Sequence, residues 1–148
     1  MHVEGSFAVR RDRDSVFAFF TDARQLVDCL DDPHTVEVVD PTHFTGTVTT
    51  GVAFIRGTFR MTGEYLETRR PERVAAKLHG VGLGSGVDAT ISTDLLEAEG
   101  STTVRWTADL KFSGPIASVG ERVIRGTVDK KTQGLFENAR RHLETSGA

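Results

Sequence analysis

Apolar and polar residues alternate from the start of the chain, with Val3, Gly5, Phe7 and Val9 set against His2, Glu4, Ser6 and Ala8. A period of two predicts a half-buried strand with Phe7 turned inward. Over Arg11 to Phe20 the period changes: Val16, Phe17, Phe19 and Phe20 cluster at helical spacing behind Asp12 and Asp14, two candidate N-caps. Asp22 suits the cap of a second short helix carrying Leu26, Val27 and Leu30, which Asp31-Asp32-Pro33 ends.

The next stretch is strand-like almost to Gly114. Thr35 to Val39 forms a short strand, Pro41-Thr42 a turn, and Phe44, Gly46, Val48, Thr50 and Val52 alternate with Thr45, Thr47 and Thr49. After a turn near Gly51 to Phe54, Ile55, Gly57, Phe59, Met61, Gly63 and Tyr65 share the inner face of a long strand. Arg56, Thr58, Arg60, Thr62 and Glu64 share its wet face. Arg70-Pro71-Glu72 turns the chain into a strand on which Val74, Ala76 and Leu78 oppose Arg73, Lys77 and His79. The glycine-rich run Gly80 to Gly86 interrupts, Ala89, Ile91, Thr93 and Leu95 resume, and Glu99-Gly100 signals a hairpin. Val104, Trp106, Ala108, Leu110 and Phe112 make the last strand.

From Gly114 to Leu143 the spacing predicts one long amphipathic helix. Ile116, Val119, Gly120, Val123, Ile124, Thr127, Val128, Gly134, Leu135 and Ala139 fall on one side, and Glu121, Arg122, Arg125, Asp129, Gln133, Glu137 and Arg140 on the other. Pro115 suits a first helical position, and Ser118-x-x-Glu121 offers a capping box as a second start. Gly120, Gly126 and Gly134 each weaken the helix by roughly 1 kcal/mol relative to alanine. Close packing on the sheet, or room for a ligand, would account for those on the dry face. Lys131 lies near the middle of that face. Either its stem lies along the sheet edge with the ammonium in water, or it reaches a mouth and donates to a carbonyl or carboxylate.

Six consecutive strands with short turns form an antiparallel meander that must bury one face, and the helices are the available cover. The expected fold is α+β: a seven-stranded curved antiparallel sheet, two short helices and one long C-terminal helix over an apolar cavity. At 148 residues and 38% hydrophobic, the chain fits a single domain spanning 1–148. Eighteen basic against 21 acidic side chains, a net charge of −3, give no field that recruits nucleic acid. The single cysteine, Cys29, fits a reducing compartment. There is neither a span of ~20 apolar residues nor a signal-peptide pattern at Met1-His2-Val3-Glu4, so a cytoplasmic protein is expected.

Catalytic chemistry finds little support. The histidines His2, His34, His43, His79 and His142 are scattered and form no triad spacing. His-x-His, His-Glu-x-x-His and Cys-x-x-Cys are absent, so no metal site is expected. The run Gly80-Val81-Gly82-Leu83-Gly84-Ser85-Gly86 lacks the spacing of a phosphate loop and reads as a flexible hairpin, a candidate gate if it rims the cavity. Asp28 and Asp31 disfavour a thiolate at Cys29, which reads as structural. Tyr65 and Trp106 each carry one polar handle that wants a partner when buried: protein, water or ligand.

The element order, together with Glu4-Gly5-Ser6-Phe7, Asp14-Ser15-Val16-Phe17 and Gly120-Glu121-Arg122-Val123-Ile124-Arg125-Gly126-Thr127, resembles the carbon monoxide dehydrogenase G-subunit family. That family lies within the START-like (SRPBCC), helix-grip superfamily of polyketide cyclases and lipid-transfer proteins. The resemblance implies a non-catalytic accessory, maturation or membrane-recruitment factor for a molybdenum-type carbon monoxide dehydrogenase or related oxidoreductase, holding a lipid-like or quinone-like ligand. The chain departs from the family at Cys29-Leu30-Asp31-Asp32-Pro33, which lacks a Pro-Gly, and at Val52-Ala53-Phe54-Ile55, where a Val-Gly-Pro turn is expected. It ends at Ala148 without the tail or anchor of a longer subset, so no membrane span is expected, only peripheral contact.

The residues expected to line the cavity are Phe7, Phe17, Phe44, Phe59, Met61, Tyr65, Leu78, Ile91, Trp106, Phe112, Gly120, Val123, Ile124, Thr127 and Lys131, with Gly80, Gly82, Gly84 and Gly86 at its mouth. No cofactor is required. Two other functions stay open: a small cyclase or hydrolase using Tyr65 or a histidine, and a pure protein adaptor with a solid interior.

Overall fold

A computed structural model describes residues 1–146; positions 147–148, the end of the expected domain, lie outside them. The order is β1 (His2–Val9), α1 (Arg13–Phe20), α2 (Ala23–Val27), β2 (His34–Asp40), β3 (His43–Val52), β4 (Ile55–Arg69), β5 (Arg73–Gly82), β6 (Ser85–Ala98), β7 (Ser101–Ser113) and α3 (Glu121–Ser146). All seven strands form one antiparallel sheet, β1-β7-β6-β5-β4-β3-β2.

Register carries the sequence pattern across the sheet. Val3 pairs with Ala108, Ala108 with Ile91, Ile91 with Ala76 and Ala76 with Tyr65, so one inward row crosses five strands. An extra residue, Leu66, interrupts the β4–β5 ladder between Tyr65 and Glu67, the kind of bulge that bends a strand and increases its twist.

The two short helices form where their caps predict, with the side chains of Asp12 and Asp22 accepting from the backbone N–H of Ser15 and Gln25. Their apolar residues seal one end of the sheet. Val9, Val16, Phe19, Leu95, Val104, Ala139 and Leu143 are all at most 3% exposed there. Thr102 Oγ1 donates to the Arg11 carbonyl at 2.8 Å and Tyr65 Oη to the Phe20 carbonyl at 2.8 Å, tying both helix segments to the sheet.

The C-terminal helix is not continuous from Gly114. Gly114–Val119 is a 3₁₀ helix, Gly120 has φ 106°, and α3 begins at Glu121. The expected capping box is also absent, because Ser118 Oγ donates back to the Pro115 carbonyl at 2.6 Å. On the sheet, α3 makes its main approaches to β1 on one side and β3 on the other, and its C-terminal half is held in the core. The helix is therefore gripped between the two flanks of the sheet.

Nor do Gly80 to Gly86 form a flexible loop. Gly80 and Gly82 end β5, Gly86 lies in β6, and only Leu83-Gly84 turn the chain, with φ 55° and 74°. Two positive φ values are what a two-residue hairpin needs to match the twist of its strands.

Space explains two helix glycines differently. A Cβ at either Gly120 or Gly126 would meet nothing within 4 Å, so close packing accounts for neither. Gly120→Ala is expected to lower unfolding free energy by about 1–3 kcal/mol, through its left-handed φ. Gly126→Ala in mid-helix should raise it by about 0.5–1 kcal/mol; urea titration of both variants checks the two signs.

Candidate functional site

The middle of the sheet has inward apolar residues without close cover. Met61, Leu78, Ile91, Trp106 and Phe112 all point to the helix side yet are only half-buried, whereas Phe59 and Tyr65 are 6% and 7% exposed. Residual exposure on a face turned under a helix means that these side chains are not closely covered, and the space above them over β4–β7 is the candidate site. Cross-strand glycines deepen its floor. Trp106 lies over its partner Gly5, Phe44 over Gly63 and Met61 over Gly80; a Cβ at Gly5 would sit 2.9 Å from the indole.

Openings flank α3 on both sides. On the β1 side, a space of about 350 Å³ is lined by Gly5, Phe7, Trp106 and Phe136, with Asp129, Gln133 and Arg140 at its rim. Phe136 is its hub, with ring centroids 5.0 Å from Phe7 and 5.1 Å from Trp106. Sequence reasoning missed Phe136, the only Phe, Tyr or Trp of α3.

On the β3 side, a space of about 370 Å³ lies between Thr127, Lys131, Gly134 and Leu135 of α3 and Leu30, Asp31, Asp32 and Gly51. Lys131 donates to both carboxylate oxygens of Asp32 at 2.9 and 2.7 Å, and Thr50 Oγ1 donates to Asp32 Oδ2 at 3.1 Å. Asn138 Nδ2 donates to the Cys29 carbonyl at 2.8 Å and to Asp31 Oδ1 at 3.0 Å. The lysine therefore sits on the flank of α3 and latches the helix to the α2–β2 loop. His34 braces this loop, donating from Nδ1 to the Asp32 carbonyl at 2.7 Å and from Nε2 to Asp28 at 3.0 Å when protonated. The backbone bond first, and then Asp28, raise its pKa above the ordinary 6.5.

Several expected cavity residues lie elsewhere. Val123 is 44% exposed and Gly120 is exposed, because the break at Gly120 rotates the helix face away from the phase of an uninterrupted helix. Phe17, 4% exposed, belongs to the sealed core, where Arg70 stacks on its ring. Tyr65 belongs there too. Its hydroxyl is bonded to Phe20, and burial, then the charge of Asp22, push the phenol well above its ordinary pKa, which leaves it no acid–base role near neutrality. Ile124 is buried beneath α3, and Thr127 borders the β3-side opening. Gly80 and Gly82 are covered by Met61 and Phe59, and Gly86 by Ser113, so of the mouth glycines Gly84 alone is in a turn.

A surface trough of about 730 Å³ lies on the opposite face among His43, Glu64, Lys77, His79, Asp88 and Lys111. Its groups are largely paired with one another, as His79–Asp88 at 2.6 Å and His43–Glu64 at 3.4 Å. Cys29 Sγ donates to the Gln25 carbonyl at 3.4 Å, and burial, then Asp28, raise its pKa, the condition of an unreactive thiol.

A curved antiparallel sheet gripping a long C-terminal helix, with two short helices after the first strand, is the START-like, helix-grip architecture. The chain belongs to the carbon monoxide dehydrogenase G-subunit (CoxG) family, whose model matches residues 5–144. Solved structures share the fold at low identity. A conserved protein from Geobacillus kaustophilus superposes with a TM-score of 0.90 at 18% identity, covering 99% of this chain and 97% of that one. A START superfamily protein from Mycobacterium smegmatis gives 0.77 at 9%, covering 97% of both. A Thermus thermophilus protein gives 0.73 at 12%, covering both chains fully, at 100%. No curated protein matches the chain. Family and fold together point to a ligand-binding accessory protein, and no helix among the described residues is long and apolar enough to cross a membrane.

Two outcomes test this geometry. Tyr65→Phe leaves the buried Phe20 carbonyl without its donor and should cost about 1–3 kcal/mol of stability, measured by urea titration. His34, with its folded pKa raised, contributes stability that is full below pH 6.5 and lost as pH rises through the folded value. The stability difference between wild type and His34→Gln should therefore shrink between acidic and alkaline buffers.

Proposed function

We propose that the chain is a non-catalytic carrier that holds one lipid-like or quinone-like molecule in the hollow between α3 and β4–β7. It would serve as an accessory, maturation or membrane-recruitment factor for a molybdenum-type carbon monoxide dehydrogenase or a related oxidoreductase. The observation that carries this reading is the chemistry of the hollow's floor. Among the inward positions of β4–β7 the ionisable residues are Tyr65, whose hydroxyl is already bonded to Phe20, and Glu97, which is exposed at the end of β6 sealed by α1, 3.9 Å from Arg13. A cyclase or hydrolase needs a positioned acid or base beside its substrate; an apolar guest needs shape and dryness. Phe7, Trp106 and Phe136 at one opening and Met61, Leu78 and Ile91 on the floor supply both. The dehydrogenase partner follows from the family's name alone.

Organic extraction and native mass spectrometry of the purified protein should find one apolar molecule per chain, and a decyl-substituted quinone added to emptied protein should quench Trp106, the only tryptophan. Leu78→Trp, which fills the floor, should reduce uptake at least tenfold while the fold persists. A protein that is always empty and leaves its tryptophan emission unchanged with the quinone contradicts the proposal.

A further inference from the structure

The two openings beside α3 are closed by different chemistry. On the β1 side the closure is aromatic. Phe136 rests against Phe7 and Trp106, with the Phe20 ring 6.4 Å away behind it, so a molecule passing there has to part a stack of rings. The β3-side opening carries no aromatic ring among the described residues: Leu30 and Leu135 are its apolar walls, and Gly51 and Gly134 bring no side chain to it. A Cβ at Gly134 would lie 3.6 Å from Asp31 Oδ2, so even alanine there would reach across to the facing loop. Inward of this opening, Gly46, Val48 and Thr50 of β3 are half-buried and pair with Met61, Phe59 and Gly57 of β4, which leads onto the floor.

What spans the β3-side opening is one ion pair, Lys131 of α3 with Asp32 of the α2–β2 loop, and its two partners are unequal. The Asp32 side chain is 21% exposed and fixed in place. It accepts from Thr50, and its loop is tied to β3 by the Thr49 N–H donating to the Pro33 carbonyl at 2.8 Å and to α3 by Asn138. The Lys131 side chain is 44% exposed, and its two bonds to Asp32 are its only polar contacts among the described residues. The part free to move is therefore the lysine stem, while helix and loop stay where they are.

We infer that the β3-side opening is the door to the space over β4–β7 and that the Lys131–Asp32 pair is its latch. A door needs a closure whose opening costs little and reverses readily. A half-exposed ion pair meets that need, because water solvates both charges when they part and the lysine can swing its ammonium outward. Parted aromatic rings at the β1 side would instead expose apolar faces to water. A latch made of charge also responds to its surroundings: salt screens the pair, so the door opens more often as ionic strength rises. That a guest is what passes rests on the carrier reading above; the door itself concerns access to the floor.

Two rates test the inference. Labelling of a Leu78→Cys chain, with Cys29→Ser to remove the native thiol, by N-ethylmaleimide reads access to the floor without any guest; stopped-flow quenching of Trp106 by the decyl-substituted quinone reads guest exchange. Lys131→Ala and, separately, Asp32→Asn should each speed both rates at least tenfold, and added sodium chloride should speed labelling of the parent chain but not of the Lys131→Ala variant. Arg125→Gln frees the same half of α3 from the His2 carbonyl on the other flank. It should change neither rate, which separates a local door from a loosened helix. Unaltered rates in Lys131→Ala, or equal acceleration by Arg125→Gln, overturn the inference. So does acceleration by Lys131→Ala alone, which would make the lysine stem a plug and leave the charge pair no part in closure. Faster labelling of Lys131→Ala with no quenching by the quinone in any variant defeats only the carrier, and quenching at rates indifferent to Lys131→Ala and Asp32→Asn defeats only the latch.

Discussion

One helix has to cover the inner face of seven strands. At about 4.8 Å between neighbours the sheet is roughly 29 Å wide, and a helix with its side chains is only about 10–12 Å across. Curling brings β1 and β3 against opposite sides of α3, and Phe136 reaches Trp106 of β7, but β4, β5 and β6 have no comparably close approach to the helix. The half-burial of Met61, Leu78 and Ile91 is the consequence of that mismatch. A hollow is what this architecture leaves unless large side chains fill it, and glycines opposite Trp106, Phe44 and Met61 keep those side chains flat on the floor.

The remaining structure divides between closing this space and leaving it accessible. Ala139 and Leu143 fix the C-terminal half of α3 among α1, β1 and β7, where burial is nearly complete. The N-terminal half has one deeply buried apolar anchor, Ile124, and polar ties at its flanks, Lys131 to Asp32 on one side and Arg125 to the His2 carbonyl on the other. Partly exposed ion pairs of this kind contribute about 1 kcal/mol or less. The helix is thus held more strongly in its C-terminal half than in its N-terminal half, beside which an apolar guest could enter with the least disruption.

The fold was legible because local signals agreed. Period-two alternation marked six of the seven strands, all but β2, and Asp22 and the pair Asp12 and Asp14, of which Asp12 is the cap, marked both short helices. The site was less legible, for identifiable reasons. A helical wheel run from Gly114 assumes one continuous phase, and the break at Gly120 reset it, turning Val123 to solvent and moving Lys131 to the flank. Tyr65 carries an inward polar handle on sequence grounds, but only tertiary structure shows that the Phe20 carbonyl takes it. Phe136 lay between Leu135 and Glu137, outside a stripe drawn too narrowly. The glycines from Gly80 to Gly86 resembled a loop because three of them accommodate neighbouring side chains within strands, a requirement that composition does not distinguish from turning.

The central claim is that the space beneath α3 holds a molecule and is not closed by the protein's own side chains. A crystal structure of the protein as purified, before any delipidation, addresses it most directly. The account predicts continuous, elongated density between Trp106, Ile91, Leu78 and Met61 that no side chain explains, reaching one of the openings beside α3. Side chains of β4–β7 in van der Waals contact with α3 throughout, with no unexplained density between them, would contradict it.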